Sequence, residues 1–181
     1  MRIISGIHKG RKITPPKNLP VRPTTDRTKE ALFNILNNFY KWNDISVLDL
    51  FSGTGSISLE FASRGVKHIK SVDQNRNCIS FINNTSYILD LSIVTIKSKV
   101  LDFLDSNSNK FNIIFLDPPY TYKLEEYKKI LEKLLFSNLS EDGLIIVEHY
   151  NRLKLNNISG FEEMRKYGSN SLSFFRNKAG R

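Results

Sequence analysis

The feature that most constrains this chain is an alternation that begins at residue 46. Short continuous apolar runs recur there, and segments with helical spacing separate most of them. Ser46–Phe51, Ile69–Asp73, Ile93–Ile96, Asn112–Asp117 and Leu144–His149 read as strands. Ser56–Arg64 (closed by Gly65), Asn75–Leu89 and Lys123–Phe136 read as helices. A strand that is apolar on both faces must be covered on both faces. That demands a mostly parallel sheet between layers of helices. The tail departs from the alternation. Phe161–Tyr167 and Ser171–Arg176 flank Gly168-Ser169-Asn170, which predicts an antiparallel hairpin. The expected fold is α/β and Rossmann-like, with a mostly parallel seven-stranded sheet and an antiparallel C-terminal hairpin.

The first forty residues follow a different pattern. Arg2-Ile3-Ile4-Ser5 and Arg11-Lys12-Ile13-Thr14 flank a turn through Gly6 and Gly10, which predicts a small hairpin over 2–14. Pro15, Pro16, Pro20 and Pro23 force an extended connector. Thr24 or Thr25 can cap a helix that carries Asp26 in its first turn and Ala31, Leu32, Ile35 and Leu36 at helical spacing. Residues 1–40 are therefore expected to be a small unit appended to a domain over 41–181.

Charge is uneven along the chain. Lys and Arg number 27 against 18 acids, for a net charge of +9. Residues 1–46 hold nine of those cations and three of the acids. A basic arm of this kind suits a polyanionic partner, because bound cations release counterions from phosphates. Arg2, Lys9, Arg11 and Lys12 are candidates for an RNA phosphate path. Arg22, Thr24 and Arg27 are candidates for the mouth of a cleft, although a solvated helix face is the ordinary fate of charges such as Arg22, Arg27 and Lys29. Cys78 is the only cysteine, so no internal disulfide is possible, which fits a reducing compartment. His8, His68 and His149 are scattered, and no metal site is expected. No apolar run follows the N-terminus or approaches the ~18 residues of a membrane helix. A cytoplasmic monomer without membrane or metal is the expectation.

Asp49-Leu50-Phe51-Ser52-Gly53-Thr54-Gly55 lies where the first strand of the alternation turns into its helix. Two glycines permit a tight turn and close backbone approach to a ligand. Asp73 ends the next strand, twenty residues beyond Gly53, where an acid can hydrogen-bond ribose hydroxyls. A dinucleotide fingerprint needs a third glycine where this chain has Ser58, and a phosphate-cradling loop needs a Lys that is absent here. An acid before the glycines disfavours a pyrophosphate and suits a cationic amino-acid moiety, such as the ammonium of a methionine.

Asp117-Pro118-Pro119-Tyr120 follows the fourth strand of the alternation. Successive prolines stiffen the backbone and remove its donors. The Asp117 carboxylate and the Pro118 carbonyl then remain as acceptors. An exocyclic amine on a base needs such acceptors, because its lone pair is delocalised into the ring until its N–H groups are held. Tyr120 offers a face for an unstacked base. Together with the glycine turn and the closing hairpin, this is the pattern expected of a class I methyltransferase using S-adenosyl-L-methionine. The plain alternative is a proline-stiffened turn with an aromatic plug.

The tetrapeptide is similar to motif IV of amino-methyltransferases, which act on adenine N6, guanine N2 or a glutamine amide. Arg22-Pro23-Thr24-Thr25-Asp26-Arg27-Thr28-Lys29-Glu30-Ala31-Leu32-Phe33-Asn34 resembles the N-terminal signature of the RsmD family. Arg2-Ile3-Ile4-Ser5-Gly6, Gly10-Arg11, Gly143–His149 and Tyr167-Gly168 fit the same family. The resemblance implies methylation of guanine N2 in 16S ribosomal RNA of the small subunit or its precursor. It implies a catalytic role for Asp117, Pro118, Pro119 and Tyr120. It also implies cofactor contacts from Asp49, Phe51, Gly53, Thr54, Gly55 and Asp73. One departure stands out: the family's Asp-Ala-Leu pattern reads Lys99-Val100-Leu101 here, with Asp102 three residues on. Adenine recognition is therefore assigned to the backbone of Val100. The alternatives are an adenine-N6 methyltransferase and a non-catalytic RNA-binding module of ribosome assembly. The former leaves no room in 181 residues for a duplex-reading region.

Overall fold

The computed structural model describes residues 1–17, 19 and 24–177. Twelve elements of helix and strand follow one another: α1 (Asp26–Leu36), β1 (Ser46–Leu50), α2 (Ser56–Ser63), β2 (His68–Asp73), α3 (Arg76–Ile88), β3 (Val94–Lys97), α4 (Val100–Ser106), β4 (Phe111–Leu116), α5 (Leu124–Lys133), β5 (Leu139–Tyr150), β6 (Phe161–Tyr167) and β7 (Asn170–Phe175). The strands form one seven-stranded sheet in the order β3-β2-β1-β4-β5-β7-β6. β1 to β5 are parallel, and β7 pairs antiparallel with both β5 and β6. The expected sheet and its closing hairpin are both present.

Strand periodicity divides the core into two layers. Leu48, Leu50, Ile114, Leu116, Ile145 and Val147 point to one face, where Phe103 and Leu104 of α4 and Ile130 and Leu131 of α5 cover them. Val47, Ile113, Phe115, Leu144 and Ile146 point to the other, against Leu32, Phe33 and Leu36 of α1 and Phe61 of α2. Full burial of such side chains contributes roughly 1.5–3 kcal/mol each. The order reverses between β1 and β4, so a crevice opens there at the carboxyl ends of the strands.

The arm differs from a regular hairpin. Ile3 N–H donates to Arg11 O (3.0 Å) and Ile13 N–H to Met1 O (3.0 Å), but among the described residues the arm forms a single isolated bridge, Arg2 to Lys12. The next amides turn away to α2. Ile4 and Ser5 donate to the two oxygens of Glu60 (2.7 and 3.0 Å), Ile7 to Ser63 O (2.8 Å) and His8 to Ser63 Oγ (3.1 Å). A Cβ on Gly6 would stand 1.8 Å from Ser63 O, so only glycine allows this approach. Thr25 is the cap of α1, its side chain accepting from Thr28 N–H. Thr24 serves elsewhere. Pro20 and Pro23 of the expected connector lie outside the described residues.

Two expected boundaries shift. The helix expected over Lys123–Phe136 stops at Lys133, and Leu134–Asn138 widens into a π turn. Asn138 Nδ2 reaches from this turn to Asn107 O and Asn109 O at 3.0 and 3.2 Å. β5 begins earlier than expected, but its pairing with β4 is interrupted between Leu139 and Leu144, so regular parallel pairing starts at Leu144.

Candidate active site

The turn from β1 to α2 takes positive φ three times, at Phe51 (59°), Gly53 (52°) and Gly55 (71°). A Cβ on Gly55 would meet Ile82 Cγ1 at 2.7 Å, so α3 packs against a position open only to glycine. Phe51 holds a conformation that side chains disfavour, and its ring is fixed edge-on against Tyr122 at 5.4 Å. Asp73 ties the turn to the end of β2. Its two oxygens accept from Gly53 N–H and Asn75 N–H, each at 2.8 Å. The Asn75 side chain in turn accepts from Asn77 N–H and caps α3.

Asp49 lies beneath the turn with 2% of its surface exposed. It accepts from Ser58 Oγ (2.5 Å) and Ser58 N–H (3.2 Å). Burial raises its carboxyl to about pKa 7, against the opposing pull of the Ser58 hydrogen bonds. Ser58 stands where a dinucleotide site would need glycine, and here it holds this acid.

Asp117-Pro118-Pro119-Tyr120 leaves β4 beside this turn. Asp117 N–H donates to Leu50 O at the end of β1 (3.4 Å), and Tyr122 N–H closes the loop on Pro119 O (2.9 Å). Asp117 is half-buried, Pro118 buried and Tyr120 exposed. The Tyr120 ring rests against Tyr150, at the end of β5, with centroids 4.2 Å apart and planes at 47°. Burial raises the pKa of Tyr122, which stacks edge-on over Tyr127.

The glycine turn and the proline loop open into one cleft of about 670 Å³. Asp49, Phe51, Gly53, Thr54, Asp73, Val100 and all four residues of the proline loop line it. Gly55 stands behind it against Ile82. Thr24 lines the cleft too, but its hydroxyl donates to buried Glu148 (2.9 Å), whose other oxygen accepts from Asn170 (2.8 Å). Arg2, Lys9, Arg11, Lys12 and Arg27 are exposed and do not line the cleft. Arg2 pairs with Asp26 at 3.4 Å. Arg22 lies outside the described residues.

Sequence reasoning missed several members of the site. Ser52 lines the cleft, and its buried Oγ has no hydrogen-bond partner among the described residues. Lys99 and Asp102, at the start of α4, also line it. Lys29 and Glu60 support it from behind. Lys29, 1% exposed, donates to Arg2 O (2.6 Å) and to cleft-lining Ser56 (3.1 Å), with Glu60 3.8 Å away. Burial lowers the pKa of Lys29, and the Glu60 charge opposes the shift. A signal was available in both cases: Lys29 falls on the apolar stripe with Leu32, Phe33 and Leu36, and Glu60 interrupts an apolar helix.

These features fit a nucleoside-bearing amino acid. The volume lies in the usual range for small-molecule clefts, roughly 300–1,000 Å³. One end holds carboxylates for an ammonium and for ribose hydroxyls. The Ser52 hydroxyl is buried and unpartnered among the described residues, which leaves a donor for a bound group. The other end holds acceptors and an exposed ring suited to a flat amine-bearing substrate.

The family described as Conserved hypothetical protein 95 matches residues 1–176. The Ribosomal RNA small subunit methyltransferase D of Haemophilus influenzae is 33% identical over 154 residues, covering 82% of this chain and 78% of that protein. The protein of the same name from Escherichia coli is 34% identical over 150 residues, covering 82% and 74%. Among solved structures, an Escherichia coli protein described as a candidate methyltransferase superposes with a TM-score of 0.83 at 27% identity, over 99% of each chain. The sheet order and closing hairpin are those of the class I methyltransferase fold.

Proposed function

The chain belongs to this family, the RsmD family, and from that premise we propose that it transfers a methyl group from S-adenosylmethionine to the exocyclic N2 of a guanine in 16S ribosomal RNA. One observation carries the reading. The turn built around Gly53 and the Asp117-Pro118-Pro119-Tyr120 loop open into a single cleft, so a donor held at one meets an amine held at the other. S-adenosylmethionine supplies a methyl group on a sulfonium, already activated for displacement. Asp49 would accept from its ammonium and Asp73 from its ribose hydroxyls, and the backbone at Val100 would meet its adenine. Ser52 adds a hydroxyl.

The protein's contribution to the reaction is alignment and hydrogen bonding. The Asp117 carboxylate and the Pro118 carbonyl accept the two N–H groups of the target amine. That localises the nitrogen lone pair toward the methyl carbon. As the N–C bond formed, the methyl carbon would part from sulfur, whose sulfonium would take back the bonding pair and leave as a neutral thioether, and one amine proton would pass to the Asp117 carboxylate that already accepts its hydrogen bond. Pro119 keeps the loop stiff, and Tyr120 stacks the base. Arg2, Lys9, Arg11, Lys12 and Arg27 follow RNA phosphates, and Thr24 helps shape the cleft wall through its bond to Glu148. Residues 1–40 serve as the RNA-facing unit of a cytoplasmic monomer.

The test is transfer of labelled methyl to small subunits lacking the modification, with naked 16S RNA alongside, mapped by mass spectrometry. Label on guanine N2 at one position is expected. Label on adenine N6, or only on protein, would overturn the assignment.

A further inference from the structure

We propose that Tyr150 is a positioning residue: with Tyr120 it forms a two-ring platform at the cleft mouth on which an unpaired RNA base stacks. The proposal rests on the functional reading only for the identity of the base. β4 and β5 are parallel neighbours, so the loop after β4 and the last residue of β5 emerge side by side. Their rings sit 4.2 Å apart at 47°. A base sandwiched between two rings needs them roughly 7 Å apart, twice the ordinary stacking distance, so no slot exists between these two. Each ring covers part of the other. Tyr120 keeps 46% and Tyr150 41% of its surface exposed. An aromatic pair that shields itself on one side and faces solvent on the other is ready to receive a third flat ring.

Three further observations favour a nucleic-acid base as that ring. First, Tyr150 stands on a rigid support. Its neighbour Asn151 donates to Gly168 O (2.7 Å) and accepts from Ser171 (2.7 Å), and Glu148, two residues before Tyr150, is locked by Thr24 and Asn170. Second, exposed Arg152 and Lys154 follow at once in the chain. Stacking rings flanked by cations are the composition of single-strand-binding surfaces. Third, Tyr120 lines the cleft, so a base on the platform lies at its entrance.

A short single-stranded RNA carrying 2-aminopurine, whose emission stacking quenches, tests this directly. It is titrated with the whole protein in the presence of S-adenosylhomocysteine. The wild type is expected to quench it. Tyr150→Ala should weaken binding about five- to tenfold and restore emission. Tyr150→Phe should bind within about twofold of wild type, because the ring and not the hydroxyl carries the contact. Calorimetry should give all three proteins the same affinity for S-adenosylhomocysteine, which a merely misfolded variant would not do. No quenching by wild type, equal quenching by wild type and Tyr150→Ala, or a Tyr150→Phe as impaired as Tyr150→Ala would each overturn the platform. A wild type that quenches but labels no guanine N2 would overturn the functional reading and leave the platform standing.

Discussion

The proposed contact of Asp49 with the cofactor's ammonium predicts that cofactor affinity depends on pH. The Asp49 carboxyl sits at about 7 because it is buried, and the Ser58 hydrogen bonds only partly offset that. An ammonium held by the carboxylate requires the ionised form. At pH 6 about one-tenth of a group with that pKa is ionised, and at pH 7.5 about three-quarters, so affinity should rise about eightfold, or about 1.2 kcal/mol. An α-amino group of ordinary pKa, about 7.7–8.0, is about two-thirds protonated at pH 7.5, which trims the rise to roughly five- to sixfold. Calorimetric titration of S-adenosylmethionine at pH 6 and 7.5, on wild type and Asp49→Asn, measures the effect. The variant should bind more weakly and lose the slope, while its amide oxygen still accepts from Ser58. The same substitution should change folding in the opposite sense. A carboxyl raised to about 7 in the fold and near 3.8 when unfolded holds an extra proton in the fold between those values. Stability of the cofactor-free protein therefore falls with rising pH, by about 1.4 kcal/mol per unit. Asp49→Asn removes that slope as well. A wild-type affinity that is flat from pH 6 to 7.5, or a variant with an unchanged slope, would refute the reasoning.

Asp117→Ala should lower the methyl-transfer rate on the order of a hundredfold while leaving cofactor affinity within about threefold, because the hydrogen bond proposed for it acts on the target amine. Single-turnover transfer against calorimetry separates the two. Neutral replacements at Lys9, Arg11 and Lys12 together should reduce the slope of log affinity for RNA against log salt by about two, if each meets a phosphate. Filter binding at several salt concentrations reads this. Glu60→Gln should cost about 3–5 kcal/mol in urea denaturation, since it leaves the Lys29 ammonium buried beside an uncharged group.

Much of the sheet was legible from local pattern alone. β1, α2, β2 and β4 lie within a residue or two of expectation, because apolar runs bounded by Gly, Asp or Asn admit few alternatives. The cleft was legible for the same reason: its two ends are short contiguous motifs. What escaped depends on contacts between distant residues. The arm was expected to pair with itself, but Glu60 takes the amides that a ladder would have used. The apolar spacing of Leu134, Leu135 and Phe136 continues a helix, yet Asn138 draws the chain out to the carbonyls of Asn107 and Asn109. Tyr120 and Tyr150 are thirty residues apart and meet only because β4 and β5 are adjacent.

The carboxylate of Glu60 also bears on the order in which the chain can be built. It joins residues 4 and 5 to a helix more than fifty residues later, and Ser63 holds residues 7 and 8. The arm emerges first during synthesis, but its backbone has nowhere to dock until α2 exists. Closing a loop of that length is a late event in folding. Amide hydrogens of Ile4 and Ser5 should therefore gain protection from exchange together with α2, not ahead of it. The arm proposed to meet RNA would then be completed only after the turn at the base of the cleft has formed.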